Sequence, residues 1–287
     1  MDLKQKKQIL TTISMALQGY DRVYDKPTME TWATKANAAN PSTALVCVFK
    51  PRYFDFQIIS TMKIRLVIAT RATEANFFTA TATGRSLAFN RPTFIDLRLF
   101  PENSEGLPAL YNRVIRESRF DPATLVFAHD DLHILDFFWC AHVQEGLTEF
   151  DSLGVAGNLR RLPGQPAWLF VDTKFTWDQP EYLSGVVGHG KAFPASNLSA
   201  YGAPRQKVKL LDGLFLACES ETLIQNDLFF DERFGFHFYD LDFCRQAELL
   251  ELSCGTWDLS LIHESGGNFS SATWRQAYLT YIEKWGN

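Results

Sequence analysis

Short apolar runs alternate with helical segments over the first half of the chain, and this alternation limits the fold more than any other feature. The runs at 64–70 (IRLVIAT), 94–100 (FIDLRLF) and 124–128 (TLVFA) have the length and apolar content of buried strands. Between them, the stretches 74–80 and 107–118 have the periodicity of helices. Strands that alternate with helices form a parallel sheet with helices on its faces. We therefore predict an α/β fold with a mostly parallel sheet flanked by helices.

The rest of the chain predicts an extension before this unit and a less regular region after it. Residues 1–40 carry apolar residues at helical spacing, and we divide the chain into an N-terminal helical extension at 1–55 and a main domain at 56–287. Residues 160–203 are rich in Gly, Pro and Ser without periodicity, which indicates binding loops or an inserted hairpin. Further elements are expected as strands at 44–49, 154–159, 208–218 and 259–262, and as helices at 136–145, 240–250 and 271–285.

Composition excludes several classes of protein. The net charge of −5 argues against a nucleic-acid binder held by phosphate contacts. No apolar run approaches the roughly 18–20 residues of a membrane span, and no apolar segment follows the basic start MDLKQKKQIL. The five cysteines form no CxxC pair and are expected to be buried thiols in a reducing compartment. We therefore expect a cytoplasmic protein without a transmembrane segment. Neither a Gly-rich dinucleotide fingerprint nor a GxxxxGK[ST] motif is present.

The first polar cluster is His129-Asp130-Asp131, which directly follows the predicted strand at 124–128. Ligands of open α/β sheets bind outside the carboxyl ends of the strands, so a site is expected at this place. Adjacent carboxylates repel each other, and a bound cation would offset that repulsion. The alternative is a solvated turn in which one aspartate caps the next element.

Two further polar clusters lie in the last third of the chain. Asp240 and Asp242 stand among aromatic residues in FHFYDLDFCR (236–245), where burial would raise a carboxyl pKa and suit it to general-base catalysis. Alternatively, Asp240 caps a helix and Asp242 is a charge in its first turn. His263 ends a predicted strand before a Gly-rich loop, and it either ligates a metal or has a structural role.

One chemical scheme accommodates all three clusters. A divalent cation that has few protein ligands and is completed by substrate phosphates commonly binds a nucleotide diphosphate. The cation stabilises the charge on the departing diphosphate, while a separate carboxylate activates the attacking hydroxyl. The clusters therefore favour group transfer with Mn²⁺ or Mg²⁺ as the cofactor.

The runs that carry these clusters resemble motifs of GT-A fold, family 2-like glycosyltransferases, over roughly residues 60–270. LVFAHDDL (125–132) resembles the metal-binding Asp-x-Asp segment, in the subgroup where His replaces the first Asp. FPENSEGLPALYN (100–112) resembles the loop and helix after the second strand. LLDGLFLAC (210–218) and FDERFGFHFYDLDFCR (230–245) resemble the acceptor-side segment. The resemblance implies a GT-A-type Rossmann-like fold with a nucleotide-sugar half at about 60–150 and an acceptor half at about 151–287.

The resemblance also implies roles for the residues of the donor side. Asp131 would be the main metal ligand, and His263 matches a late histidine that can join the metal. The donor, a nucleotide-diphosphate sugar such as a UDP-sugar, would be bound by Thr70, Asn103, Asn112, His129 and Asp130.

On the acceptor side, Asp212 and Gly213 would face the transferred sugar or the acceptor, which would be a carbohydrate or glycan intermediate. Asp240 would be the base of an inverting transfer, and Tyr239 replaces a glutamate of the family's pattern. The aromatic residues Trp168, Trp177 and Tyr182 either stack on sugar rings or pack internally, and His189 contacts substrate or belongs to an ordinary loop.

Two other functions remain open at this point. His129-Asp130 also resembles the dyad of helical HD-type phosphohydrolases, but that fold needs helices around the dyad and TLVFA predicts a strand. A carbohydrate-binding protein that has lost catalysis would keep its aromatic residues, yet it would not need Asp131, Asp240 and His263 together.

Overall fold

The computed structural model describes residues 63–90, 92, 95–267 and 269–286 of a chain that divides into units at 1–61 and 62–287. The predicted N-terminal extension and the strand at 44–49 lie outside the described residues. The described strands are β1 Ile64–Ala69, β2 Asp96–Phe100, β3 Thr124–Ala128, β4 Leu132–Ile134, β5 Ser152–Gly154, β6 Ala156–Asn158, β7 Leu183–His189, β8 Asn197–Gly202, β9 Lys207–Val208, β10 Leu210–Leu211, β11 Phe215–Glu219, β12 Cys254–Thr256 and β13 Leu261–His263. The described helices are α1 Glu74–Ala80, α2 Ala82–Asn90, α3 Leu107–Glu117, α4 Trp139–Gly146, α5 Ser220–Gln225, α6 Tyr239–Leu249 and α7 Ala272–Trp285, with a 3-10 turn at Pro180–Tyr182.

The first sheet has the strand order β2-β1-β3-β11-β5-β12-β9. β1 pairs in parallel with both β2 and β3, as expected for strands joined through helices. Beyond β3 the sheet is mixed, because β11 runs antiparallel to both β3 and β5. The predicted α/β class is therefore confirmed, and the parallel arrangement is continuous over the three strands of the first half.

A second sheet has the order β10-β6-β7-β13-β4, and β8 pairs with β7. The antiparallel pair β7 and β8 is a hairpin inside the stretch that lacks periodicity in the sequence. β13 lies between β7 and β4, parallel to the first and antiparallel to the second. The chain passes between the two sheets at His129–Asp131 and at Asp212–Leu214, and both crossings carry the polar residues singled out above.

The helices are positioned by their apolar faces. α3 buries Leu110, Val114 and Ile115 at helical spacing and begins with Pro108 in its first turn, where the missing N–H is harmless. α1 starts at the N-cap Thr73, whose side chain accepts from the amide of Asn76. The strands of the central pair β1 and β3 are buried almost throughout, so the core lies on both faces of the first sheet.

Two sequence predictions need correction. The run at 208–218 is three strands, β9, β10 and β11, because the chain turns at Asp212–Leu214 and changes sheet there. The run at 154–159 is likewise divided between β5 and β6, which belong to different sheets. The four described cysteines are buried free thiols, and in the part of the chain that the structure covers no helix has the length and apolarity needed to cross a membrane.

Candidate functional site

Polar residues follow both β1 and β3 at the edge where these parallel strands end. Thr70, directly after β1, donates from Oγ1 to Oδ2 of Asp130 over 2.5 Å. Burial raises the pKa of Asp130, although this hydrogen bond acts in the opposite direction. The amide of Asn103, which follows β2, donates to the carbonyl of Thr70 over 2.8 Å. The structure thus brings together three of the residues assigned to the donor.

His129, Asp131 and His263 form a cluster of three side chains that can ligate a metal. Their ligand atoms all lie within 4.8 Å of one another. Strand register produces the cluster, because β13 runs antiparallel to β4 with His263 opposite Leu132. The amide of Glu264 also donates to the carbonyl of Asp131 over 2.9 Å. The two predicted metal ligands therefore lie side by side, and His129, assigned from sequence to the donor, joins them.

The charges within this cluster oppose the effect of burial. Asp131 Oδ2 lies 3.2 Å from His263 Nε2. Burial acts to raise the pKa of Asp131, but the hydrogen bond and charge of His263 outweigh it and lower the pKa to about 2. For His263, burial acts to lower the pKa, yet the hydrogen bond and charge of Asp131 raise it. The two side chains form a partly buried ion pair.

The second carboxylate oxygen of Asp131 has a different environment. Oδ1 is buried and has no hydrogen-bond partner among the residues that the structure describes. Leaving a buried carboxylate oxygen unpartnered is costly. An oxygen of this kind beside two imidazoles is a ligand set that fits a divalent metal such as Mn²⁺.

The imidazole of His129 lies between Tyr239 and Asp131. Its Nε2 is 3.0 Å from the Tyr239 hydroxyl, and its Nδ1 is 4.0 Å from Asp131 Oδ1. The ring stacks on Phe236 with centroids 5.5 Å apart. Burial lowers the pKa of His129 more than the nearby carboxylates raise it, which favours the neutral imidazole that metals bind.

Asp240 occupies the first turn of α6. Its Oδ1 accepts from the amide of Leu241 and its Oδ2 from the amide of Gly213, both over 2.9 Å. Burial, and after it the charge of Asp212, raises the pKa of Asp240 to about 7. The residue retains partial exposure. A carboxylate with a pKa near neutrality is well matched to general-base catalysis.

Gly213 connects Asp240 to His129. While its amide binds Asp240, its carbonyl accepts from the Tyr239 hydroxyl over 2.7 Å. A Cβ atom on Gly213 would lie 2.5 Å from that hydroxyl, so only glycine permits this approach. The next residue, Leu214, accepts from the amide of His129 over 3.0 Å. The turn at Asp212–Leu214 therefore contacts both His129 of the three-residue cluster and the candidate base, Asp240.

Asp242 has a different environment, although it lies on the same helix. It is fully buried, and its Oδ1 is 2.7 Å from both Lys284 Nζ and Trp285 Nε1. Its Oδ2 accepts from Gln246 over 2.8 Å. These contacts anchor α7 on α6, so the role of Asp242 is to hold the two helices together.

Two residues assigned to the nucleotide pocket use their side chains elsewhere. Asn112 is buried, donates to the carbonyl of Phe230 and to Glu232, and accepts from the amide of Phe230 over 2.9 Å. Because its amide group is occupied in this way, Asn112 links α3 to the segment before α6. The side chain of Asn103 bonds the backbone of Glu105 and shapes its own loop.

The aromatic residues considered as sugar-stacking candidates differ in how exposed they are. Trp168 is buried, and the guanidinium of Arg160 lies 3.6 Å from the ring centroid of Tyr182. Trp177 is 57% exposed and lies against Tyr201 on β8, with ring centroids 6.0 Å apart. Burial raises the pKa of Tyr201, and the charge of Asp212 adds to this effect. An aromatic surface formed by Trp177 and Tyr201 therefore lies within the electrostatic reach of Asp212.

Sequence reasoning missed the contacts of Tyr239, Phe236 and His189. Tyr239 and Phe236 contact His129 from FHFYDLDFCR, where only the aspartates were given roles. His189 lies opposite His263 in the pairing of β7 with β13, and its Nε2 is 2.9 Å from Ser199 Oγ. The position of Tyr239 next to Asp240 could have indicated a role for it. His189, in contrast, is brought to the site by the pairing of β7 with β13, which no sequence motif predicts.

Comparison with known proteins gives structural likeness alone. No family model matches the sequence, and no curated protein matches it. S. aureus TarS 1-349 is similar at 12% identity with a TM-score of 0.42, over 71% of this chain and 60% of that one. GalNAc-T7, solved with UDP, GalNAc and Mn²⁺, is similar at 10% identity with a TM-score of 0.46, over 78% of this chain and 49% of that one.

A third similar structure is A197 from STIV, at 12% identity and a TM-score of 0.39, over 74% of this chain and 100% of that one. TarS and GalNAc-T7 are glycosyltransferases of the GT-A type. The chain matches only about half to three fifths of their lengths. Roles for individual side chains therefore rest on their contacts in this chain.

Proposed function

We propose that the chain is a metal-dependent glycosyltransferase that moves a sugar from a nucleotide-diphosphate sugar, a UDP-sugar, to a hydroxyl of a carbohydrate or glycan intermediate. The observation that carries this proposal is that a potential metal site and a candidate base lie next to each other, where the chain crosses between the two sheets. Two of the three potential metal ligands, His129 and Asp131, lie on one crossing, and His263 joins them from the end of β13. The carboxyl group of Asp240, whose pKa is raised to about 7, accepts a hydrogen bond from Gly213 on the other crossing.

His129, Asp131 and His263 would hold Mn²⁺ or Mg²⁺. The unpartnered Oδ1 of Asp131 is the observation that fits a cation to this place, because an ion would supply the missing partner. When bound, the ion would stabilise negative charge on the donor diphosphate. Asp130 and Thr70, which lie next to the cluster in the sequence or in space, would contact the donor.

Asp240 would accept the proton of the acceptor hydroxyl. Two backbone amides fix its carboxylate, so its orientation is set before the substrate binds. Direct attack of the activated hydroxyl on the anomeric carbon inverts the configuration there. Transfer with inversion therefore needs no covalent intermediate on the protein.

The acceptor would lie along Trp177 and Tyr201. Aromatic faces bury the apolar faces of sugar rings, and Trp177 is the exposed ring among the three aromatic candidates from the sequence. Tyr201 lies against Trp177, and the negative charge of Asp212, next to the glycine that binds Asp240, acts on the pKa of Tyr201. A carbohydrate acceptor fits such a surface better than an apolar or a strongly anionic molecule.

The metal assignment is tested by calorimetric titration with UDP, in Mn²⁺ and in chelator. Binding should require Mn²⁺ in the wild type, and Asp131→Ala should remove this dependence. Asp258→Ala is the matched control, because Asp258 is an exposed aspartate paired with Arg205 away from the cluster. Equal UDP affinity with chelator and with metal would contradict the assignment.

The reaction is tested with a panel of nucleotide sugars and carbohydrate acceptors, with NMR of the product's anomeric proton. Asp240→Asn should lower transfer by roughly 10²–10⁴-fold, the usual contribution of general-base catalysis, and keep UDP affinity. Asp242→Asn tests the register of the base, since Asp242 contacts α7 instead. Full activity of both variants, or retention at the anomeric carbon, would exclude this mechanism.

The phosphohydrolase alternative loses its structural basis. Its dyad needs surrounding helices, whereas His129-Asp130 lies between β3 and β4. Release of inorganic phosphate from nucleotides without sugar transfer would nevertheless favour it in the same assays. Binding of glycans without turnover of any donor would favour the non-catalytic carbohydrate-binding protein.

A further inference from the structure

Tyr239 is a buried tyrosine whose hydroxyl touches both halves of the candidate site. The hydroxyl is 2.7 Å from the carbonyl oxygen of Gly213 and 3.0 Å from Nε2 of His129. Both contacts are within hydrogen-bond range, but the hydroxyl has a single proton. The hydroxyl can therefore donate in only one of the two bonds and has to accept in the other.

The carbonyl of Gly213 decides that direction. A carbonyl oxygen only accepts, so the Tyr239 proton has to lie in the bond to Gly213. Turning it toward His129 would take this donor from a buried carbonyl, at a cost of about 1–3 kcal/mol. Nε2 of His129 must then supply the proton of the second bond, with the tyrosine oxygen as acceptor.

A neutral imidazole has one N–H, so a proton on Nε2 leaves Nδ1 with a free lone pair. Nδ1 is the nitrogen that faces Asp131, 4.0 Å from the unpartnered Oδ1. The other tautomer would aim an N–H at that oxygen, but 4.0 Å is too long for a hydrogen bond to compensate. The tautomer demanded by Tyr239 is the one that leaves a ligand atom facing the cluster.

We infer that Tyr239 is a positioning residue that fixes the Nε2–H tautomer and the ring orientation of His129, so that Nδ1 is available to a divalent cation. The inference rests on the metal site of the proposed function and adds a role for a side chain that is not among the three proposed metal ligands. Partners that orient a ligating histidine commonly contribute 10–100-fold to metal affinity.

Nitrogen-15 NMR of the metal-free 287-residue chain tests the tautomer directly. Protonated and unprotonated ring nitrogens have well separated shifts, and His129→Gln assigns the His129 signals by their loss. We expect Nε2 protonated and Nδ1 bare in the wild type, and a mixture of tautomers in Tyr239→Phe. A wild-type ring with its proton on Nδ1 would overturn the inference.

Calorimetry with Mn²⁺ tests the consequence. Tyr239→Phe should bind Mn²⁺ about 10–100-fold more weakly than the wild type. Tyr281→Phe is the matched control, because Tyr281 is also buried but contacts Arg245 and Phe238. Equal affinity of the two variants would overturn the role of Tyr239. Failure of the wild type to bind Mn²⁺ would instead reject the metal site itself, while the NMR spectrum still reads the tautomer.

Discussion

Replacing Asp240 by asparagine should stabilise the fold at alkaline pH while it lowers the proposed transfer activity. Burial and the charge of Asp212 raise the pKa of Asp240 from 3.8 to about 7. The unfolded chain releases this proton above about pH 4, whereas the folded chain holds it to about pH 7. A carboxyl group whose pKa is raised by folding therefore makes the fold less stable as the pH rises through this window.

The size of the effect follows from the shift. One pKa unit corresponds to about 1.4 kcal/mol. Relative to acid pH, where the carboxyl group is protonated in both states, it lowers the free energy of unfolding by about 4 kcal/mol near pH 8 and about 2 kcal/mol near pH 5. Asparagine does not titrate, and any change in its bonds to Gly213 and Leu241 is the same at both pH values. The stability difference between variant and wild type should thus be about 2–3 kcal/mol larger near pH 8 than near pH 5.

Urea unfolding of both proteins at the two pH values measures this difference. At saturating donor and Mn²⁺, wild-type transfer should also rise about tenfold from about pH 6 to about pH 8, because the ionised fraction of Asp240 does so. Asp212→Asn should move the midpoint of that profile to lower pH, since it removes a neighbouring negative charge. A stability difference that is equal at both pH values would refute the account of Asp240.

Three further changes have defined outcomes. Burial acts to lower the pKa of His263, but Asp131 raises it above the ordinary imidazole value, so Mn²⁺ has to displace a proton. Calorimetry should therefore show the Mn²⁺ affinity rising with pH until His263 is neutral. His263→Ala should bind Mn²⁺ weakly and lose this pH dependence. Asn112→Ala should lower the free energy of unfolding by about 1–3 kcal/mol in urea, because it leaves the backbone of Phe230 without partners. Its UDP affinity should stay unchanged, and weaker UDP binding would support the role in the nucleotide pocket. Trp177→Ala should raise the KM for a carbohydrate acceptor on the order of tenfold without changing donor affinity, and an unchanged KM would exclude the aromatic surface as the acceptor site.

Local patterns in the sequence predicted the elements of the first half well. The helix at 74–80 and the strand at 124–128 have the bounds that the structure gives them, because periodicity and turn residues are local signals. The run at 208–218 was predicted as one strand because a continuous apolar run does not reveal that the chain changes sheet at Asp212–Leu214. The prediction of structure from local pattern fails where a long-range pairing decides the outcome.

The candidate site shows the same division. The polar residues after β1 and β3 could be expected together, since parallel strands end at a common edge. The place of His263 beside Asp131 depends on the register of β13 against β4, and no local signal contains that register. The tight contact of Gly213 with Tyr239 likewise appears only when the turn and α6 are packed.

The three potential metal ligands come from two distant segments of the chain, and this has a consequence for folding. Asp131 precedes β4, the edge strand of the second sheet, and His263 ends its neighbour β13, far along the chain. A cation bound to both would act as a non-covalent cross-link that closes this long loop. Because it binds the assembled state alone, a hundredfold excess over its Kd would add about 2.7 kcal/mol to stability. A cation bound for the donor would therefore also hold β13 in place. In chelator, the backbone amides of β13 and β4 should exchange with solvent before those of the first sheet.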